Sequence, residues 1–361
     1  MKIAQLAPPW LSVPPRAYGG TEIVVHLLTE GLVKRGHEVT LFASGDSKTS
    51  ARLSYVFETA LGNSGDTKRE ALHPLLHYIE CFDRAGEFDV IHNHAQYYAM
   101  FLAHLVKTPV LHTIHGSYSP EYTPEEKIHT LQRFKDHNFI SISNSQRNDL
   151  PGLNYVATVY NGVNTSEFSF SSEKGKYLLW MGRITSKKGP VDAIHAARRL
   201  NMELKIVAAI DPSEEEYFMK EVKPLIDGKL VTFVGEVGQT EKIYYYKNAL
   251  ATLFPIVWEE PFGLVMAESM SCGTPVVAYN HGSVPEIVKD GLTGFIVNSK
   301  NDGKEGKFLI KESGVDGLVE GVRRVMTQVN RGDCRKHVEN NFAMEQMING
   351  YETVYKKILG I

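Results

Sequence analysis

The chain has 361 residues, 43% hydrophobic and 22% charged, with 39 Lys and Arg against 42 Asp and Glu for a formal charge of −3. That length exceeds one ordinary hydrophobic core and predicts two domains of about 150–200 residues, while the even charge, 14 basic and 16 acidic side chains in residues 1–165, argues against a general nucleic-acid binder. No apolar run approaches the roughly 20 residues that span a bilayer, the run at 3–7 is too short for a signal peptide, and three scattered cysteines (Cys81, Cys272, Cys334) form neither a disulfide framework nor a CxxC metal site, so a reducing cytoplasm is expected.

Short β-branched runs alternate with helix-length amphipathic segments, the pattern of α/β domains with parallel sheets. A first strand is expected at 2–7. A helix follows at 21–35, with Thr21 as its cap and Gly36 at its end. Strands follow at 37–42, 89–92, 109–113, 139–142 and 156–160. The rhythm breaks at 161–176, which is polar and turn-rich and reads as the interdomain linker. It restarts with strands at 177–181, 204–208, 231–234, 251–254, 275–278 and 294–297. Residues 298–314 read as a mobile surface excursion, and helices are expected at 317–329 and 344–359. The pattern predicts two similar open α/β domains facing a central cleft, with ligands beyond the carboxyl ends of the strands.

Five segments carry candidate chemistry. In Glu260-Pro261-Phe262-Gly263-Leu264 through Glu268, Pro261 suits a first helical turn. A helix from Phe262 to about Cys272 would aim free N–H groups and a partial positive charge at a phosphate. On such a helix Glu260 and Glu268 stand about 12 Å apart, too far for a glycosidase pair but suited to hydroxyls at two ends of one ligand. Gly182-Arg183-Ile184-Thr185-Ser186-Lys187-Lys188-Gly189 reads as a basic loop after a strand; Arg183 and Lys188 would neutralise a diphosphate. Tyr18-Gly19-Gly20-Thr21-Glu22 would let backbone approach an anion. His92, His94, His112 and His115 close two strands. They could hold a metal by spacing, but without carboxylates or cysteines beside them hydrogen-bonded, partly buried histidines are the preferred reading, with His115 turned to sugar hydroxyls. His281-Gly282-Ser283-Val284-Pro285-Glu286 reads as loop, short helix and turn.

Together, EPFGLVMAE, GRITSKKG, YGGTE, HTIHG, YNGVN and GSVPE resemble family four (group 1) of the retaining, nucleotide-sugar-dependent glycosyltransferases of GT-B fold. The opening is most similar to the avilamycin-biosynthesis-like branch. The resemblance implies two Rossmann-like domains: 1–165 for the acceptor, 166–340 for the donor, and a helix at 341–361 returning to the first. It implies that Arg183 and Lys188 bind the donor diphosphate, that Glu268 holds the ribose, and that Glu260 contacts the sugar with backbone N–H groups of Phe262, Gly263 and Leu264. Gly19 and Gly20 would admit the phosphates, and His115 would lie near the transferred sugar. No metal and no cofactor beyond the donor substrate is implied. Asn164, His281 and Lys187 depart from the family pattern.

The reaction expected is transfer of a hexose-type sugar, UDP-linked in preference to GDP-linked, to an acceptor hydroxyl. The acceptor would be a carbohydrate, a small molecule or a lipid-linked group; no nucleic-acid partner is expected, and peripheral contact with the inner membrane face stays open. A GT-B sugar-nucleotide epimerase and a non-catalytic sugar-nucleotide-binding subunit are the competing readings.

Overall fold

A computed structural model describes residues 1–16, 19–64, 72–300, 303 and 305–361. The chain divides into two compact units, Met1–Gly162 with Met344–Ile361, and Val163–Ala343.

In the first unit the strands are β1 (Lys2–Leu6), β2 (Glu38–Phe42), β3 (Arg52–Ser54), β4 (Val90–Asn93), β5 (Val110–Thr113), β6 (Asn138–Ser141) and β7 (Tyr155–Thr158). They form one sheet in the order β3-β2-β1-β4-β5-β6-β7, with every pairing parallel. The connections carry α1 (Gly20–Lys34), α2 (Leu72–Asp83), α3 (Tyr98–Ala103), α4 (Glu125–Arg133) and α5 (Asn144–Asp149). Strands covered on both faces need continuous apolar runs, and β1, β2 and β4 supply them: Ile3, Ala4, Leu6, Leu41, Phe42 and Ile91 are buried.

The second unit repeats the scheme. Its strands are β8 (Tyr177–Ile184), β9 (Leu204–Ile210), β10 (Val231–Gly235), β11 (Ala249–Phe254), β12 (Val276–Tyr279) and β13 (Gly294–Val297), in the order β10-β9-β8-β11-β12-β13, again parallel. Helices α6 (Pro190–Leu200), α7 (Glu215–Tyr217), α8 (Gln239–Asn248), α9 (Leu264–Ser271), α10 (Val284–Ile287), α11 (Gly314–Gln328) and α12 (Arg331–Asn341) accompany them. The core joins Leu178, Trp180, Ile206, Leu253 and Val277 of the sheet to Ile194 of α6 and Leu318 and Val322 of α11.

Both sheets reverse their winding once, between β1 and β4 and between β8 and β11. At such a point the loops leaving neighbouring strands diverge to opposite faces and open a crevice at the carboxyl edge.

Some expectations change. α1 begins at Gly20 with Gly19 as its cap residue, so Thr21 lies inside the helix and does not cap it. The division at Gly162–Val163 falls within the expected linker, and the residues after it are anchored: Phe168 is buried, and Arg335 donates to the carbonyls of Thr165 and Phe168. β3 and α12 were not anticipated; the first has three residues, and the second lacks a strong apolar stripe. In the excursion at 298–314, Asn298 brackets Gly306 with two hydrogen bonds, to its carbonyl at 3.0 Å and from its N–H at 2.8 Å; residues 301, 302 and 304 of that segment are not among those described. The final helix, α13 (Met344–Leu359), belongs to the first unit.

Candidate functional site

In the second unit the sheet's reversal point gathers the residues singled out from the sequence. Arg183 is the penultimate residue of β8, on a strand where a loop was expected. Its Nη1 donates to Asp211 Oδ2 at 2.9 Å, and its side chain stays 42% exposed. Asp211, just past β9, also accepts the hydroxyl and N–H of Ser213, and these bonds, with Arg183, hold its carboxyl below the usual range. The chain then makes a short 3₁₀ turn at Ser186–Lys188. That turn is fixed at its backbone: Trp180 Nε1 donates to the Lys188 carbonyl at 3.2 Å, and the Val257 N–H donates to the Lys187 carbonyl at 2.9 Å. Lys187 is exposed.

Lys188 ion-pairs with Glu260 through Oε2 and lies over the Trp258 ring, 5.0 Å from its centroid. Trp258 Nε1 donates to the same Oε2 at 3.0 Å. Both bonds land on one oxygen, so Oε1 keeps acceptor capacity. Glu260 is not in a helix. α9 starts at Leu264, after Gly263 in the left-handed region at φ +78°; Pro261 and Phe262 lie in the loop before it, and the 12 Å axial spacing of the two glutamates therefore does not apply. Phe262 is buried edge-on against Phe342, with centroids 5.8 Å apart, and its carbonyl accepts Ser283 Oγ at 2.7 Å. A helix leaves its first N–H groups without an acceptor in a preceding turn; at the start of α9 the Met266 N–H turns back to the Gly263 carbonyl at 3.0 Å.

Glu268 is buried inside α9. Lys242 Nζ donates to Oε1 at 2.7 Å and Tyr246 OH to Oε2 at 3.0 Å. Lys242 and Tyr246 stand four apart on α8, on one face; sequence reasoning missed both, because their signal exists only once α8 lies beside α9. Two donors leave an ionised carboxylate with room for two more. Asp211 and Trp258 were missed for the same reason.

After β12, Gly282 sits at φ +55°, and a Cβ there would come within 2.3 Å of the Glu260 carbonyl oxygen. Only glycine fits between that loop and the one carrying Glu260. The adjoining Glu259 accepts the Gly282 N–H at 2.7 Å and lies 3.5 Å from His281 Nδ1, so the departure at His281 places a buried imidazole against a buried carboxylate. Asn164, another departure, accepts from Ser166 and donates to Glu167 at 2.6 Å, a turn at the start of the unit.

In the first unit, Gly19 and Gly20 open α1 after β1. A Cβ on Gly19 would meet the Pro15 ring at 2.7 Å, so the glycine leaves room for that side chain. Tyr18 lies outside the described residues. The histidines are tied into hydrogen bonds. His92 bonds Tyr355 and Thr113, His94 bonds Gln5 and His115, and His112 bonds Asn93 and His137. Burial pushes His115 down to about 4 and His112 to about 3, so these imidazoles are neutral at pH 7. No group of three or more His, Cys, Asp or Glu able to hold a metal occurs among the described residues, nor is any helix among them long and apolar enough to cross a membrane.

Two family models match the chain: glycosyltransferase family 4 over residues 18–167 and glycosyl transferases group 1 over 164–340. The chain belongs to the family-four, group 1 glycosyltransferases of GT-B fold. It is 26% identical to the uncharacterised glycosyltransferase MJ1607 of Methanocaldococcus jannaschii, covering 99% of this chain and 98% of that one. Its fold matches AviGT4, a glycosyltransferase involved in avilamycin A biosynthesis, at TM-score 0.73, 23% identity and coverage of 100% and 98%. It also matches Anabaena HepE in complex with UDP and glucose, at TM-score 0.75, 16% identity and coverage of 99% and 100%.

Proposed function

We propose that this glycosyltransferase moves a hexose-type sugar from a nucleoside-diphosphate sugar to an acceptor hydroxyl, with retention of anomeric configuration and without a metal ion. The observation that carries the reading is that Arg183, near the carboxyl end of β8, and the Lys188–Glu260 ion pair, formed by the segments that follow β8 and β11, lie on the two neighbouring strands where the sheet reverses. Arg183 offers a planar fork and Lys188 a point charge to the diphosphate, and both strengthen their hold as charge builds on the leaving group. The ligand-free Lys188–Glu260 pair keeps each charge compensated; on donor binding Lys188 turns part of its charge to phosphate, and Glu260 Oε1 accepts from the sugar. Glu268, aimed by Lys242 and Tyr246, takes the ribose hydroxyls. The N–H groups at the start of α9, with Phe262, Gly263 and Leu264, face the sugar and phosphates, and Gly19 and Gly20 leave backbone free to approach a phosphate.

His115, being neutral, acts as a hydrogen-bonding group toward the sugar. No side chain is assigned as a covalent nucleophile; the departing phosphate takes the acceptor's proton as the new glycosidic bond forms on the same face. A UDP-sugar is favoured, in keeping with the UDP-bound structure of similar fold. The domain roles, acceptor at 1–165 and donor at 166–340, and a cytoplasmic setting with a carbohydrate, small-molecule or lipid-linked acceptor, belong to the same proposal.

A thermal-shift panel of UDP-, GDP-, ADP- and dTDP-sugars identifies the donor, since a ligand binding only the folded state raises the midpoint with concentration over Kd. With that donor, Arg183→Ala lowers turnover by about 10²-fold or more while the unliganded midpoint stays put. Near-normal turnover would sink the assignment. Sugar isomerised with no acceptor present would mark an epimerase, and affinity without hydrolysis or transfer would mark a binding subunit.

A further inference from the structure

In the second unit one short segment grips the basic stretch after β8 at two points. β8 and β9 run side by side, with Arg183 paired to Ala209 and Ile184 to Ile210. Two residues past Ala209 the alternation of a strand brings Asp211 to the face that Arg183 shares. The chain then makes a 3₁₀ turn at Pro212–Glu214, capped by Asp211.

The two oxygens of Asp211 have separate partners. Oδ1 accepts the Ser213 N–H at 2.9 Å and the Ser213 hydroxyl at 2.6 Å, which closes the turn on itself. Oδ2 accepts Arg183 Nη1 at 2.9 Å. At the far end of the same turn, Glu214 Oε2 accepts the Ser186 N–H at 3.3 Å and Oε1 its hydroxyl at 3.2 Å. Ser186 opens the turn that carries Lys188. The carboxylate that holds Arg183 is thus fixed from three sides: by its own strand, by Ser213, and by the tie from Glu214 back to the basic stretch.

The pair is a poor device for stability. The Arg183 side chain is 42% exposed and that of Asp211 16%, and ion pairs this open to water add little to the folded state. It suits an arginine that must be in place before a ligand arrives. A long arginine side chain has much rotamer freedom to lose when it is fixed, and fixing it beforehand removes that loss from the step at which charge builds on a leaving diphosphate. The negative charge of Asp211 works the other way on simple binding, because it offsets part of the attraction between Arg183 and a diphosphate. Orientation and charge therefore push turnover and affinity in different directions, and the two can be measured apart.

We propose that Asp211 is a positioning residue that holds the Arg183 guanidinium in the orientation the departing diphosphate needs. The proposal rests on the reading of Arg183 as a partner of the donor diphosphate. It adds that this arginine is set by the turn after β9 in the ligand-free protein.

Asp211→Asn isolates the role: the amide oxygen still accepts from Ser213, and only the group facing Arg183 changes from acceptor to donor. Asp211→Ser, which still caps the turn but is too short to reach Arg183, is checked in parallel in case one variant does not fold. In the full, ligand-free chain labelled at arginine nitrogen, Arg183 is assigned by loss of its signals in Arg183→Ala. The wild type should give two separate Nη signals, because a guanidinium held on one side by a carboxylate turns slowly. Either variant should merge them. Turnover of UDP-glucose should fall about 10-fold in both, while the Kd for UDP stays level or tightens. Neither variant should cost anything further in an Arg183→Ala background. Merged Nη signals in the wild type overturn the proposal, and so do separate ones in the folded variants. Unchanged turnover in the variants overturns it too, as does UDP binding that weakens in step with turnover, the mark of a merely structural part. Near-normal turnover of UDP-glucose in Arg183→Ala would instead overturn the diphosphate reading and leave the result on the orientation of Arg183 standing.

Discussion

At the scale of the residue, the second unit shows charged groups held in place by other side chains before any ligand arrives. Glu268 is buried, and a buried carboxylate is tolerated only with hydrogen-bond donors around it. Lys242 and Tyr246 provide them. Removing one donor leaves an oxygen buried and unpaid for by solvent, so Tyr246→Phe should cost about 1–3 kcal/mol, read as a lower urea midpoint at unchanged slope. It should also weaken binding of the nucleotide identified by the sugar panel, since Glu268 would lose its aim. A midpoint within a few tenths of a kcal/mol of wild type would show that the Tyr246 hydroxyl does not hold the carboxylate.

At the scale of the element, α13 is fastened to α1 despite the sequence distance. A Cβ on Gly31 of α1 would come within 2.1 Å of Ile348, so the helices approach where a glycine leaves room. At the end of α1, Arg35 Nη1 donates to Glu352 at 2.7 Å, and Lys356 lies 3.1 Å from the same side chain. The Arg35 hydrogen bond first, then Lys356, holds the Glu352 carboxyl down at about 2. A carboxyl depressed in the folded state stabilises above its unfolded value near 4.3 and loses that contribution as pH falls toward 2. Glu352→Gln should therefore lower stability by about 1 kcal/mol at pH 7, the range for a pair near the surface, and by progressively less below pH 4. A penalty that stays constant down to pH 2.5 would show that packing, not charge, is what the substitution removes.

At the scale of the molecule, titration should separate the two units. His77, His92, His94, His112 and His115 of the first are all held below the ordinary imidazole range by burial, His77 at about 4. In the second, among the described residues, His337 is the one shifted down. A base depressed in the folded state lets the unfolded chain bind the extra proton, so stability is full above about pH 6.5 and falls below it until each folded value is reached. Each such histidine contributes up to about 1.4 kcal/mol per pH unit across that window. Hydrogen exchange between pH 6.5 and 4 should show peptides from 1–162 and 344–361 losing protection before those from 163–343. Loss of protection first in 163–343 would contradict this.

All strands but the three-residue β3, and so the two parallel sheets, were legible from the sequence, because a strand covered on both faces must be a run of apolar residues and the runs are local. The motif residues Arg183, Lys188, Glu260 and Glu268 were legible for the same reason: their spacing lies within single segments. Their partners were not. A helix was expected from Phe262, directly after Glu260, and the structure begins it at Leu264 and leaves Glu260 in a loop seated against Gly282; Arg183 was expected in a loop, and it lies near the end of a strand. Gln5, His94 and Tyr355 carry no shared local pattern, with 350 positions between the first and the last. Only the crossing of β1, β4 and α13 brings them within hydrogen-bond distance, and there burial excludes the water that would otherwise satisfy them. Local sequence decides which segments can be strands and which side chains carry charge. The tertiary structure decides which buried polar groups must answer one another, because that obligation arises only once the chain has closed around them.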